Sequence, residues 1–141
     1  MAIREAGPNI LPRMDINTDL ARKMISGFIK DQIDKAGLNG AVIGLSGGID
    51  SALSAYLSAD ALGPEHVLAV RMPYRTSSED SLIDAEAVIE DLGLPSMTVP
   101  ITDMADALIN QFDDMPNLRK GNIMARCRMI VLYDQSAARG L

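Results

Sequence analysis

The chain has 141 residues, 48% hydrophobic and 23% charged, the profile of one globular domain, which excludes a disordered or low-complexity protein. A formal net charge of −6 argues against nucleic acid as the main partner, because phosphate backbones call for a basic surface. A single cysteine, Cys127, excludes an internal disulfide and a CxxC site, and without a run of roughly 20 apolar residues or an apolar leader in residues 1–14 the expectation is a cytoplasmic protein with no membrane partner.

Residues 1–16 carry Gly7, Pro8 and Pro12 without a clean period and read as an irregular arm. Leu20, Met24, Ile25, Phe28, Ile29 and Ile33 recur at helical spacing, with Asn17 or Thr18 as cap and Gly37 as stop. The apolar run Ala41-Val42-Ile43-Gly44-Leu45 reads as a buried strand. A helix over 50–62 follows, its Ala52, Ala55 and Ala59 small enough to sit close to a sheet, and Gly63-Pro64 stops it. Residues 67–70 form a second strand. Ser77 or Ser78 then caps a helix with Glu79 and Asp80 in its first turn, an apolar face of Leu82, Ala85, Ile89 and Leu92, and Gly93 at its end. Met97-Thr98-Val99 is a third strand. Thr102 opens a helix carrying Ala105, Leu108, Ile109 and Phe112; 113–117 is a loop; a last helix covers 121–138 and stops at Gly140. Strands alternating with helices predict an α/β protein with an open parallel sheet flanked by helices, as one domain over 1–141.

The string Gly44-Leu45-Ser46-Gly47-Gly48-Ile49-Asp50-Ser51 lies between the first strand and its helix, where α/β proteins bind phosphate. Paired glycines let the backbone turn tightly and approach an anion, and the helix start offers free N–H groups at the positive end of its dipole. Ser46 and Ser51 add hydroxyl donors; Asp50, beside phosphates, is best read as a magnesium ligand. No lysine is present, so the string is neither a Walker A loop nor a GxGxxG fingerprint. The plainer alternative is an ordinary strand-to-helix turn capped by Ser46.

Ser-Gly-Gly-Ile-Asp-Ser matches the SGGxDS signature and resembles the N-type ATP pyrophosphatases, which cleave ATP between its α and β phosphates and adenylylate their substrate. Two further stretches choose within that superfamily. Gly121-Asn122-Ile123-Met124-Ala125-Arg126-Cys127-Arg128-Met129 and Val70-Arg71-Met72-Pro73-Tyr74 resemble segments of ammonia-dependent NAD synthetases, and the likeness runs from about Leu20 onward. It implies an adenine-nucleotide alpha-hydrolase-like (Rossmann-like) fold and a ligase that amidates deamido-NAD with ATP and ammonia, releasing AMP and pyrophosphate. It places residues 44–51 and Arg71 on ATP, Asp50 on Mg2+ and Arg126 on deamido-NAD, with no side-chain nucleophile. It also implies a homodimer, with the helix over 121–138 partly in the interface. The chain stops where that family continues into its next strand, so a truncated N-terminal portion is expected, its second metal carboxylate and phosphate-contacting lysine lying beyond Leu141.

Other readings stay open from the residues alone. Arg126 and Arg128 lie two apart, so they point to roughly opposite faces of their helix with different partners. An arginine on an apolar helix wants an anion; the alternative is a pair of snorkelling surface arginines. Arg71, at the carboxyl end of a strand, fits either ATP or a neighbouring loop. His66 reads as a surface residue, Cys127 and the methionines as core, and a local basic patch surrounds Arg119. The competing functions are another N-type pyrophosphatase, acting on tRNA, and a non-catalytic ATP-binding module similar in fold to the universal stress proteins.

Overall fold

The computed structural model describes residues 16–141; the arm expected over 1–16 lies almost wholly outside that range. Eight elements follow in order: α1 (Thr18–Ala36), β1 (Ala41–Leu45), α2 (Ile49–Leu62), β2 (Val67–Arg71), α3 (Glu79–Leu92), β3 (Ser96–Thr98), α4 (Thr102–Ile109) and α5 (Asn117–Arg139). A 3-10 turn, Pro64–His66, joins α2 to β2. The strands form one parallel sheet in the order β1-β2-β3, with Leu45 beside Arg71 and Arg71 beside Thr98.

The sheet is covered on both faces, because alternate residues of a strand point to opposite sides. Val67 and Ala69 of β2 pack with Ala55, Ala59, Ala85 and Ile89 beneath α2 and α3. Leu68 and Val70 pack with Ile101, Ala105, Cys127 and Val131 beneath α4 and α5. The alanines expected on α2 thus bring that helix close to the sheet. Capping chemistry sets the helix starts: the Asn17 carboxamide accepts from the Leu20 N–H at 2.9 Å, and the Ser78 hydroxyl accepts from the Ser81 N–H at 3.3 Å. Gly37 and Gly93 close their helices in the left-handed conformation.

Several details differ from the sequence reading. The helix opened by Thr102 ends at Ile109, so Phe112, expected on it, lies in the turn that follows and is exposed. The third strand covers Ser96–Thr98, one residue earlier than expected; past its end the Val99 N–H still donates to the Arg71 carbonyl at 2.9 Å. The last helix begins at Asn117 rather than Gly121, because Pro116 at its N-cap provides the start and Gly121, where an added Cβ would meet no other described residue within 4 Å, is tolerated inside. The apolar face of α1 is not core: Leu20, Met24, Ile25 and Phe28 are exposed, and the residue α1 buries is Ser26. The reason is polar. Ser26 donates to the Asp60 carboxylate at 2.7 Å, and Arg22 pairs with the same carboxylate, so α1 docks on α2 by that face. The Arg22 and Ser26 hydrogen bonds hold the Asp60 carboxyl down at about 2.

Candidate functional site

The carboxyl ends of β1 and β2 open into a cleft of about 240 Å3. Gly44, Leu45 and Ser46 form one wall, Met72, Pro73, Ser77 and Ser78 a second, and Ser81, Leu82 and Arg128 complete it. The loop over 46–48 is fixed by its own hydroxyls. Ser51 Oγ donates to the Gly48 carbonyl at 2.8 Å and lies 3.1 Å from Ser46 Oγ, which accepts from the Gly48 N–H at 3.3 Å. The Ser46 N–H in turn donates to Ser51 Oγ at 3.3 Å. No side chain caps the start of α2 at Gly48, so its first N–H groups remain available to an anion.

The two glycines have unequal duties. Gly47 has φ of +80°, and a Cβ there would lie 2.8 Å from Ser81 Cα and closer still to the Ser81 carbonyl oxygen. The loop therefore rests against the first turn of α3, a contact that only glycine allows. Gly48 sits in ordinary extended backbone as the N-cap.

Asp50 lies in the first turn of α2 and is exposed. Among the described residues its carboxylate has no hydrogen-bond or ion-pair partner; only its carbonyl is engaged, by the Ser54 hydroxyl at 2.8 Å. No cluster of three metal-ligating side chains occurs among the described residues. One exposed carboxylate beside an uncapped helix start fits what magnesium asks of a protein, since that ion takes one or two protein carboxylates and completes its shell with phosphate oxygens and water. Ile49, from the same string, is 84% exposed and bears on the site through its backbone.

The three arginines separate. Arg71 leaves the end of β2 and pairs with Glu86 of α3; it does not line the cleft, and its buried Nε has no partner among the described residues. Arg126 is exposed and lines an apolar groove between α4 and α5 with Met104, Leu108, Cys127 and Ile130. Arg128 is half-buried and lines the cleft. Its Nε donates to the Met72 carbonyl at 3.1 Å, which fixes the fork, and no carboxylate pairs with it among the described residues. The two-residue spacing on α5 thus gives two environments, as expected, with the cleft cation at Arg128.

Sequence reading passed over Arg128, Ser77, Ser78 and Ser81 as lining residues. A signal for Arg128 existed: it lies one turn before Leu132, whose side chain packs over Gly44, so the two share a face. His66 lies at the surface and Cys127 in the core, as expected; of the methionines expected in the core, Met72 and Met115 are buried there, but Met24, Met104 and Met129 are exposed. Arg119 stacks over the Phe112 ring at 5.3 Å. Among the described residues no helix is long and apolar enough to cross a membrane.

Known proteins share this fold and much of the sequence. The family described as NAD synthase matches residues 21–141. An NH(3)-dependent NAD(+) synthetase of Trichlorobacter lovleyi is 53% identical over 130 residues, which are 92% of this chain and 48% of the relative. The protein of the same name from Fusobacterium nucleatum is 49% identical over 125 residues, 89% of this chain and 48% of its own length. This chain therefore spans about half the length of these curated relatives. Among solved structures, the NH3-dependent NAD synthetase of Campylobacter jejuni, in complex with the nitrate ion, superposes with a TM-score of 0.83 at 37% identity, covering 89% of this chain and 54% of that one. The NMN synthetase of Francisella tularensis gives 0.81 at 28% identity, over 89% and 52%. With the family matched over nearly the whole described chain, on an open parallel sheet whose first loop is Ser-Gly-Gly-Ile-Asp-Ser, the protein belongs to the NAD synthase family.

Proposed function

We propose that this protein is part of an ammonia-dependent NAD synthetase: a ligase that binds ATP with Mg2+, adenylylates the carboxylate of deamido-NAD, and lets ammonia form the amide. The observation that carries the reading is the lysine-free loop at an uncapped helix start, opening on a cleft whose one cation among the described residues is Arg128. A nicotinate carboxylate oxygen attacks the α-phosphorus, the bond to the bridging oxygen breaks, and pyrophosphate leaves. Ammonia then attacks the acyl carbon; AMP departs and a proton is lost from nitrogen.

The protein supplies position and charge for this sequence rather than a nucleophile. Ser46, Ser51 and the N–H groups opening α2 receive the β and γ phosphates, and Asp50 holds magnesium against them. The ion supplies counter-charge to the leaving pyrophosphate. Arg128 offers up to four further N–H donors to phosphate or carboxylate, since only its Nε is spent on Met72. The apolar surface of Met72, Pro73 and Leu82 takes the adenosine side. Arg71 joins the ATP site if its guanidinium turns from Glu86, with its unpartnered Nε as the available donor. Arg126 serves a part of deamido-NAD lying over the α4–α5 groove.

We further assign a cytoplasmic homodimer. The outward apolar residues of α5 are Leu118 in its first turn and Met129, Ile130 and Tyr133 further on; the latter three face the partner, whereas Met124 and Leu132 pack against the core. One second reading has an observation behind it: the likeness in fold to an NMN synthetase supports the same chemistry yielding NMN rather than NAD. The test is pyrophosphate release with ATP, ammonia and deamido-NAD. Release only with deamido-NAD supports the reading, and release without an acid acceptor overturns it. ATP binding with no release under any condition returns the protein to a non-catalytic ATP-binding module.

A further inference from the structure

The loop joining β2 to α3, residues 72–78, supplies four lining residues of the cleft, Met72, Pro73, Ser77 and Ser78. Within itself it makes one tight turn: the Ser77 N–H donates to the Tyr74 carbonyl at 2.8 Å, and the Tyr74 N–H donates to Ser77 Oγ at 3.0 Å. Its Met72 end is held from the cleft side, where Arg128 Nε donates to the Met72 carbonyl at 3.1 Å; the fastenings of Pro73, Tyr74 and Arg75 come from outside the cleft, at the start of α4. The Ile101 N–H donates to the Pro73 carbonyl at 2.9 Å, and the Arg75 N–H donates to Thr102 Oγ1 at 3.0 Å. Asp106, one turn further on, accepts from the Tyr74 hydroxyl at 2.7 Å and from Arg75 Nη2 at 2.5 Å on the same oxygen. Arg75 Nη2 also donates to the Tyr74 hydroxyl at 3.0 Å and its guanidinium lies over the Tyr74 ring at 5.3 Å. The Asp106 side chain is only 16% exposed and does not line the cleft.

We propose that Asp106 is a positioning residue for the nucleotide cleft, acting from α4 through Tyr74 and Arg75 to hold the wall formed by residues 72–78. The inference rests on the nucleotide reading of the cleft given above. Both groups that meet Asp106 are donors, so a carboxylate satisfies them with charge-assisted bonds that an amide makes only weakly. Fixing a loop beforehand removes the ordering cost from ligand binding. The brace acts on one wall alone. The phosphate side of the cleft is held by the Ser46 and Ser51 hydroxyls, which share no contact with Asp106. Loss of the brace therefore weakens ligands carrying adenosine and spares pyrophosphate.

Calorimetric titration of the purified protein with ATP, AMP and magnesium pyrophosphate separates these outcomes. Asp106→Asn is expected to raise the Kd of both ATP and AMP roughly tenfold and Tyr74→Phe roughly threefold. The double variant is expected to fall short of the product, since both act through one network. Pyrophosphate binding stays within about twofold, a split that a general loss of stability would not produce. If Asp106→Asn fails to fold, Tyr74→Phe, which deletes one hydroxyl, decides alone. Unchanged ATP and AMP binding in the folded variants overturns the proposal, as does equal weakening of pyrophosphate. An unmodified protein that binds neither ATP nor pyrophosphate overturns the nucleotide reading and this inference with it.

Discussion

Replacing Arg126 and Arg128 of α5 in turn tests the cleft most directly. Arg128 is half-buried, lines the cleft and has its fork oriented by the Met72 carbonyl at 3.1 Å. A charge-assisted hydrogen bond contributes about 1.5–3 kcal/mol, and tenfold in affinity corresponds to about 1.4 kcal/mol. Arg128→Ala is therefore expected to weaken ATP roughly ten- to hundredfold. It also leaves the Met72 carbonyl without its partner, so a fall of a few degrees in Tm accompanies it. Arg128→Lys keeps the charge but loses the fork held through Nε, and should recover only part of the affinity. Arg126, exposed on the α4–α5 groove, has no route to the cleft, and Arg126→Ala should leave the ATP Kd within about twofold. The assay is calorimetric titration of ATP with Mg2+ for all three variants beside differential scanning calorimetry. Normal ATP affinity in Arg128→Ala, together with a tenfold loss in Arg126→Ala, would refute the assignment of the cleft cation.

Four further outcomes follow from the same geometry. Asp50→Asn should keep the fold, weaken magnesium binding and lower pyrophosphate release by at least ~100-fold; near-normal release excludes the metal role. Gly47→Ala forces a side chain to φ of +80° and against the Ser81 backbone; at roughly 1–3 kcal/mol it should lower Tm by several degrees and weaken ATP, and an unchanged Tm would show that α3 yields freely. Gly121→Ala, inside α5 with nothing within 4 Å, should raise Tm because alanine is the better helix residue by about 0.5–1 kcal/mol; a lower Tm would show that something packs there. Asp60 has its carboxyl held at about 2 by Arg22 and Ser26, below its ordinary value near ~3.9, so its contribution is present above about pH 4 and is lost as pH falls through about 2. Asp60→Asn should remove that part of the fall in Tm between pH 4 and 2, and identical acid profiles would exclude the link.

The fold was legible because its signals are local. Asn17, Ser78, Gly37 and Gly93 bound helices by capping chemistry that needs no knowledge of the rest of the chain. Alternation of short apolar runs with helical periods gave the parallel sheet for the same reason. Burial was less legible. The period over Leu20 to Ile33 predicts a helix correctly, yet that helix docks through Arg22 and Ser26 and leaves Phe28 exposed; periodicity shows that a face is apolar, not that a partner covers it. In the cleft, the string over 46–51 was readable because one stretch of chain supplies the turn, the hydroxyls and the helix start. Arg128 and the serines at 77, 78 and 81 come from other elements, and only the parallel register and the packing of α5 over Gly44 bring them in.

The missing lysine then has a physical account. A Walker A loop carries its own cation, placed by the same turn that cradles the phosphates. Here the turn carries none, and among the described residues the cation lining the cleft arrives from α5, about eighty residues later, on a helix anchored by Cys127 and Val131 in the core under the opposite face of the sheet. Its orientation is taken from the Met72 carbonyl, which belongs to the loop that Asp106 braces from α4. The serine-glycine loop, the cleft cation and the brace therefore come from the start of α2, from α5 and from α4, and the cleft lies where β1 and β2 end at the same level. Asp106 meets the loop at Tyr74 and Arg75 and Arg128 meets it at Met72, so displacing the braced part would move the wall formed by Pro73 to Ser78 while leaving the Ser46–Ser51 hydroxyl contact in place. That separation of charge from cradle is what makes the ligand-specific effects of Arg128, Asp50 and Asp106 distinguishable in one set of titrations.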